Sequence, residues 1–178
     1  MKNFLMLIAA LALVAGCETK PPATATAYDP ITGARTDVSE NLLQVEGTPR
    51  EVVYLNMFRE YRSRRQSDYY FEAFYMAPKD AGYLEIPPGQ TLTIAADGDT
   101  LKFTGNGSLN RRRESRAQKT DFVTETALYE VKKDDLQKLA NAKKIKVQLR
   151  GNNGLVEREF VQENFDNLKA FVASATAQ

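Results

Sequence analysis

The sequence predicts an α+β fold: a mostly antiparallel β-sheet, with a short helix and a C-terminal helix packed on one face. Three observations predict it. From about Arg50 onward apolar residues recur with period two, the mark of strands half-buried in a sheet. Asp97-Gly98-Asp99 and Gly151-Asn152-Asn153-Gly154 lie between alternating runs and have the composition of tight hairpin turns. Two stretches in the last third switch to helical spacing, which places helices beside an antiparallel sheet.

Glu51 to Arg62 starts apolar on both faces, with Val52, Val53, Tyr54 and Leu55, and becomes polar near its end. Ser67 to Met76 carries Tyr69, Phe71 and Tyr75 on one face and Tyr70 and Phe74 on the other. Ser63-Arg64-Arg65-Gln66 between them is the expected hairpin tip. Thr91 to Ala95 points Leu92 and Ile94 inward, and Leu101 and Phe103 repeat the pattern after the Asp-Gly turn. Thr120 to Val131 is a further long strand. Asp134-Asp135 then opens a short helix with Leu136, Leu139 and Ala140 at i, i+3 and i+4, and its acidic start and Lys143-Lys144 end suit the helix dipole. Ile145, Val147 and Leu149 alternate with polar residues, and Leu155 to Val161 returns as the paired strand. A final helix from about Gln162 to Ser174 aligns Phe165, Leu168 and Val172.

Composition excludes more than it proposes. The 178 residues hold 24 Lys+Arg, 23 Asp+Glu, one Cys, no His and no Trp. The commonest metal sites and His-assisted nucleophiles are therefore absent, and no disulfide can form within the chain. Near-neutral charge argues against a nucleic-acid partner, which selects a basic excess. No cofactor is expected: Gly105-Asn106-Gly107-Ser108 lacks the further glycine of a dinucleotide loop and the Lys-Ser/Thr of a phosphate loop, and reads as a turn.

Met1-Lys2-Asn3 precedes an uninterrupted apolar run from Phe4 to Val14. That run is shorter than the roughly 20 residues a membrane-spanning helix needs. It ends in Val14-Ala15-Gly16-Cys17. Over residues 1–17 the sequence resembles the bacterial lipoprotein signal peptide, with its small-residue box before an obligatory cysteine. The resemblance implies cleavage after Gly16 and a diacylglyceryl group on the Cys17 sulfur, a thiolate being the nucleophile suited to that bond. It also implies a palmitate-type, lipid-anchored protein facing the periplasm of the cell envelope. Glu18, where an Asp favours the inner membrane, leans toward the outer one. Residues 17–30, rich in Pro, Ala and Thr, read as lipidated Cys plus flexible tether, and 31–178 as a single domain. Asp29-Pro30-Ile31-Thr32-Gly33 reads as the turn that opens it. Leu128 to Val172 resembles modules of uncharacterised bacterial envelope lipoproteins, without a motif that carries a function.

Candidate sites come from two patterns. Most of the arginines fall in two short groups, Arg59, Arg62, Arg64 and Arg65, then Arg111, Arg112, Arg113 and Arg116. As loop tips their guanidinium forks suit an anionic lipid, glycan or protein partner; the plainer reading is solvated charge offset by Glu60, Asp68 and Glu114. The second pattern is the aromatic surface of Tyr69, Tyr70 and Tyr75, amphipathic side chains that recur in recognition sites and equally fill cores. No catalytic constellation is present: Asp97 and Asp99 serve a turn, and Asp134 and Asp135 a helix start. The expectation is a non-catalytic binding or accessory lipoprotein. Its alternatives are a small-ligand or glycan binder with a cleft between the tyrosines and Arg111–Arg116, and a carboxylate-dependent cell-wall hydrolase.

Overall fold

A computed structural model describes residues 24–28, 35–45, 47, 50–62, 67–117 and 120–176. Ten strands form one antiparallel sheet: β1 (Thr24–Tyr28), β2 (Arg35–Ser39), β3 (Val52–Tyr61), β4 (Ser67–Pro78), β5 (Gly89–Ala96), β6 (Asp99–Gly105), β7 (Arg112–Ala117), β8 (Thr120–Val131), β9 (Ile145–Gly151) and β10 (Gly154–Glu159). Their spatial order is β1-β2-β3-β4-β8-β6-β5-β9-β10, with β7 alongside the first half of β8. Two α-helices complete the described chain, α1 (Lys133–Asn141) and α2 (Gln162–Thr176).

The period of two becomes burial. Val53, Leu55 and Met57 of β3, Phe71 and Ala73 of β4, and Val123, Ala127 and Tyr129 of β8 form the core side of the central strands. Leu92 and Ile94 continue it in β5, and Ile145, Val147 and Leu149 in β9. Leu136 and Leu139 of α1 and Leu168 and Phe171 of α2 join the same apolar cluster. Asp97 and Gly98 turn the β5–β6 hairpin with φ of 50° and 99°, as an Asp-Gly turn of two left-handed residues requires. The Asp97 carboxylate accepts from the backbone N–H groups of Lys143 and Lys144, which fastens this turn to the end of α1. Those two bonds hold its pKa below the usual carboxylate value.

Three expectations change. Thr24–Tyr28, read as part of a flexible tether, is a strand paired with β2, because Thr-Ala-Thr-Ala-Tyr supplies β-branched residues in alternation and β2 has an edge to fill. Arg112–Ala117, read as a loop tip, is an edge strand on β8, where Arg113, Glu114 and Arg116 stay in solvent at little cost. The expected stripe of α2 does pack on the core, Leu168 fully and Phe165 and Val172 in part, but the most buried line runs through Asn164, Leu168, Phe171 and Ala175. The helix is rotated by Asn164, whose Nδ2 donates to Asn41 Oδ1 (2.7 Å) and to Leu42 O (2.8 Å). Phe165 instead meets Phe160 edge-on, with ring centroids 5.5 Å apart.

Candidate functional site

The central strands bury one face and leave the other half-open. On the open face β3 presents Tyr54, Asn56, Phe58 and Glu60, β4 presents Tyr70, Glu72 and Phe74, and β8 presents Thr126 and Leu128. Register sets them in rows, with Phe58 opposite Tyr70 and Glu72 opposite Leu128. Tyr54 and Phe74 pack edge-on at 6.0 Å. Between Thr36 of β2 and Leu128 the face sinks into an open hollow of about 350 Å³. Phe58 and Tyr70 form its floor, Glu60 and Glu72 flank them, and Arg111 closes the rim. Asn56 Nδ2 donates to Glu72 Oε1 at 3.1 Å and steadies that carboxylate.

Arg111 reaches this rim through a buried polar lock beneath the 83–112 region. Glu125 of β8 is fully buried and accepts from the backbone N–H groups of Glu85 (2.9 Å) and Ile86 (3.3 Å) and from the Ser108 hydroxyl (2.5 Å). Arg112 Nε stands 3.7 Å from Glu125, and its guanidinium lies 5.5 Å from the Tyr83 ring centroid. Glu85 adopts φ 60°, a left-handed kink that turns consecutive N–H groups toward one carboxylate. Gly107, at φ 74°, lies so near Pro88 that a Cβ there would be 2.7 Å from the proline nitrogen; only glycine lets Ser108 approach. The Ser108 carbonyl then accepts from Arg111 N–H at 2.8 Å, fixing the single 3-10 turn, Leu109–Arg111, that carries the rim arginine.

The predicted site residues scatter accordingly. Tyr69 and Tyr75 are core residues on the buried face, so the aromatic surface reduces to Tyr70, joined by Phe58, Tyr54 and Phe74. Alternation along one strand dictates this: neighbours in sequence face opposite ways. Arg62 is exposed and donates from Nε to Asp68 Oδ2 at 2.6 Å, with Glu60 at 3.5 Å. Arg112 is spent on Glu125 and Glu85. Arg113 is exposed and donates to the Arg112 carbonyl, while Arg116 sits 3.6 Å from Asp121. Cys17, Arg64 and Arg65 lie outside the described residues. Of the two sequence groups, Tyr70 lines one hollow with Arg111 and is hydrogen-bonded by Arg62.

A second polar cluster occupies the β1–β2–β3 end. Asp37 is buried and accepts from Thr26 Oγ1 (2.8 Å), Arg35 Nε (3.2 Å) and the Tyr61 hydroxyl (2.5 Å). Burial pushes its pKa up, but the bonds from Tyr61, Thr26 and Arg35 outweigh it and hold the carboxyl below its ordinary value. Arg35 and Arg59 lie over the Tyr61 ring at 4.4 and 4.3 Å. A larger hollow of about 450 Å³ between Gln44 and β10 has no aromatic floor, and its one half-buried cation, Arg158, already pairs with Glu51.

Among the described residues no helix is long and apolar enough to cross a membrane, and no group of three potential metal ligands converges. Comparison with family models, with curated proteins and with solved structures finds no match to this chain.

Proposed function

We propose that this protein is a lipid-anchored bacterial envelope protein that binds its partner without transforming it, and that the Phe58–Tyr70 hollow is the binding site. The reading of an anchor rests on Val14-Ala15-Gly16-Cys17 behind a short apolar run. The reading of a binding site rests on one observation: Tyr70 and Arg111, from two sequence-distant groups, line the same open hollow. An aromatic floor with a few converging polar groups is the usual make-up of a small-ligand site.

In this reading both helices cover the opposite face of the sheet and leave the hollow free. Supporting this, Arg59, which faces away from the hollow on β3, donates from Nη1 to the Ser174 carbonyl of α2 at 3.0 Å. Leu136, Leu139, Leu168 and Phe171 are buried in the same apolar cluster as the core side of the strands.

The two parts are tested separately. Substitution Cys17→Ser should abolish incorporation of radiolabelled palmitate and leave unprocessed precursor; normal labelling of that variant sinks the anchor. For the site, a panel of soluble peptides, oligosaccharides and headgroup analogues should shift the NMR signals of Phe58, Tyr70, Leu128 and Arg111 before any others. Shifts confined to other surfaces would remove the hollow from consideration.

A further inference from the structure

A strand at the border of a sheet has backbone groups on its outer side that the sheet does not use. In β10 the register identifies them. The Asn152-Asn153 turn pairs Gly154 with Gly151, and the N–H of Phe160 donates to the Ile145 carbonyl at 3.0 Å. Even-numbered residues of β10 therefore bond to β9, and Leu155, Glu157 and Glu159 direct their N–H and C=O groups outward. Among the described residues none of these outward groups bonds to another strand. The Glu157 carbonyl alone is taken, by Arg158 Nη1 at 2.7 Å.

Three features set this border apart from those at β1 and β7. Beside it lies the hollow of about 450 Å³, lined by Gln44 and Val45, by β10, and by Val161 after it. Of the five large apolar side chains exposed among the described residues, Val45, Leu155 and Val161 lie here. Glu157 and Glu159 are drawn inward: Glu157 accepts from Gln148 and stands 3.2 Å from Lys146, and Glu159 stands 3.6 Å from Lys144. By contrast, Thr24 to Ala27 of β1 bring no large apolar side chain, and β7 carries Arg113, Glu114 and Arg116.

We infer that β10 takes an extended segment of another protein as an added antiparallel strand, a contact separate from the Phe58–Tyr70 hollow. The incoming backbone sits about 4.8 Å from β10 and answers the outward N–H groups of Leu155, Glu157 and Glu159. Arg158 competes at one carbonyl only. Side chains of the added strand alternate between two faces. The set opposite Leu155, Glu157 and Glu159 shares their face and is neutral or basic, because like charges directly opposite are unfavourable. The other set turns into the hollow beside Val45 and Val161 and is apolar. A second copy of β10 fits less well. The registers that overlap most bring Glu157 opposite Glu157 or one diagonal away from it.

The test uses the full chain in detergent micelles and the end-capped hexapeptide Thr-Val-Lys-Val-Thr-Val. At saturation, amide exchange followed by NMR should slow about tenfold at Leu155, Glu157 and Glu159. It should stay unchanged at Val156 and Arg158, whose N–H groups already bond to β9. N-methylation at the odd or the even residues of the peptide blocks one of its two edges, and one of these isomers should bind about tenfold more weakly. Leu155→Pro removes an outward N–H and spares the β9 ladder, so it should weaken binding by a similar factor; Glu159→Pro replaces it should the first variant misfold. Exchanging the peptide's Lys for Glu should lower affinity several-fold. Equal binding by the parent and both N-methyl isomers overturns the inference, as does slowing that lacks the alternation. Protection that grows with protein concentration in the absence of peptide puts a second copy at this edge and overturns the partner named here. No protection at millimolar peptide also overturns it, and none of these outcomes bears on the Phe58–Tyr70 hollow.

Discussion

Glu125 is a buried carboxylate with its oxygens committed to Glu85 N–H, Ile86 N–H and the Ser108 hydroxyl. Nothing in the sequence marks it. Thr120 to Val131 alternates, and a Glu between Val123 and Ala127 reads as a polar interruption of an apolar face. Its partners come from turns distant in sequence, and periodicity carries no information about them. Glu125→Ala would orphan the N–H groups of Glu85 and Ile86 and leave Arg112 with Glu85 alone, so urea denaturation should show a loss of about 3 kcal/mol. Two other groups give pH signatures of opposite sign. Burial raises the Tyr129 phenol to about 12, with Glu125 adding to the rise and a hydrogen bond with Thr91 opposing it. The unfolded chain therefore ionises first, and stability present below pH ~10 declines up to pH ~12 by about 2 kcal/mol; Tyr129→Phe should flatten that slope. Asp37 has the reverse sense. Its folded pKa is depressed, so its contribution is complete above the ordinary value of 3.8 and is lost as pH falls through the lower folded value. Asp37→Asn should show a shallower acid limb in the same titration.

Strands and helices were legible wherever burial alone sets the pattern. β5, β6, β8 and β9 follow their alternation, and α1 buries the three residues its spacing selects. The edge strands β1 and β7 were not, and of α2 the helix was legible but its rotation was not. β1 and β7 lack large aliphatic residues and exist because a neighbouring strand offers unpaired backbone groups, a property of the partner strand. α2 took its rotation from Asn164, whose Oδ1 also accepts from the N–H of Val161 at 3.0 Å and caps the helix start. Asn164→Ala should cost about 2 kcal/mol in denaturation, more than Phe165→Leu on the half-buried side. β7 carries Arg113 and Arg116 on its exposed edge, where charge discourages pairing with another chain. Replacing both with valine should produce concentration-dependent association in sedimentation velocity; a monomer at all concentrations would show that these arginines do not guard the edge.

At the scale of the molecule, the sheet is joined across a narrow seam. β6 meets β8 at one register pair, Gly105 with Tyr129. The chain at 84–86 straps the seam, bonding to Glu125 on one side and to Asn152 and Asn153 on the other. A Cβ on Gly105 would fall 2.5 Å from the Tyr129 ring. Gly105→Ala should therefore lower stability by about 2 kcal/mol and speed amide exchange in β5, β6 and β9 more than in β3 and β4. The hairpins on either side of this seam were readable from turns and alternation, but their spatial order was not, because β8 joins them through contacts far apart along the chain. The first strand carries a last consequence. β1 begins at Thr24, so a lipid on Cys17 would leave a leash of about 25 Å at full stretch. Under the proposed anchor, a domain on so short a leash would sweep only a thin shell beside the bilayer, and a ligand would have to come to that shell.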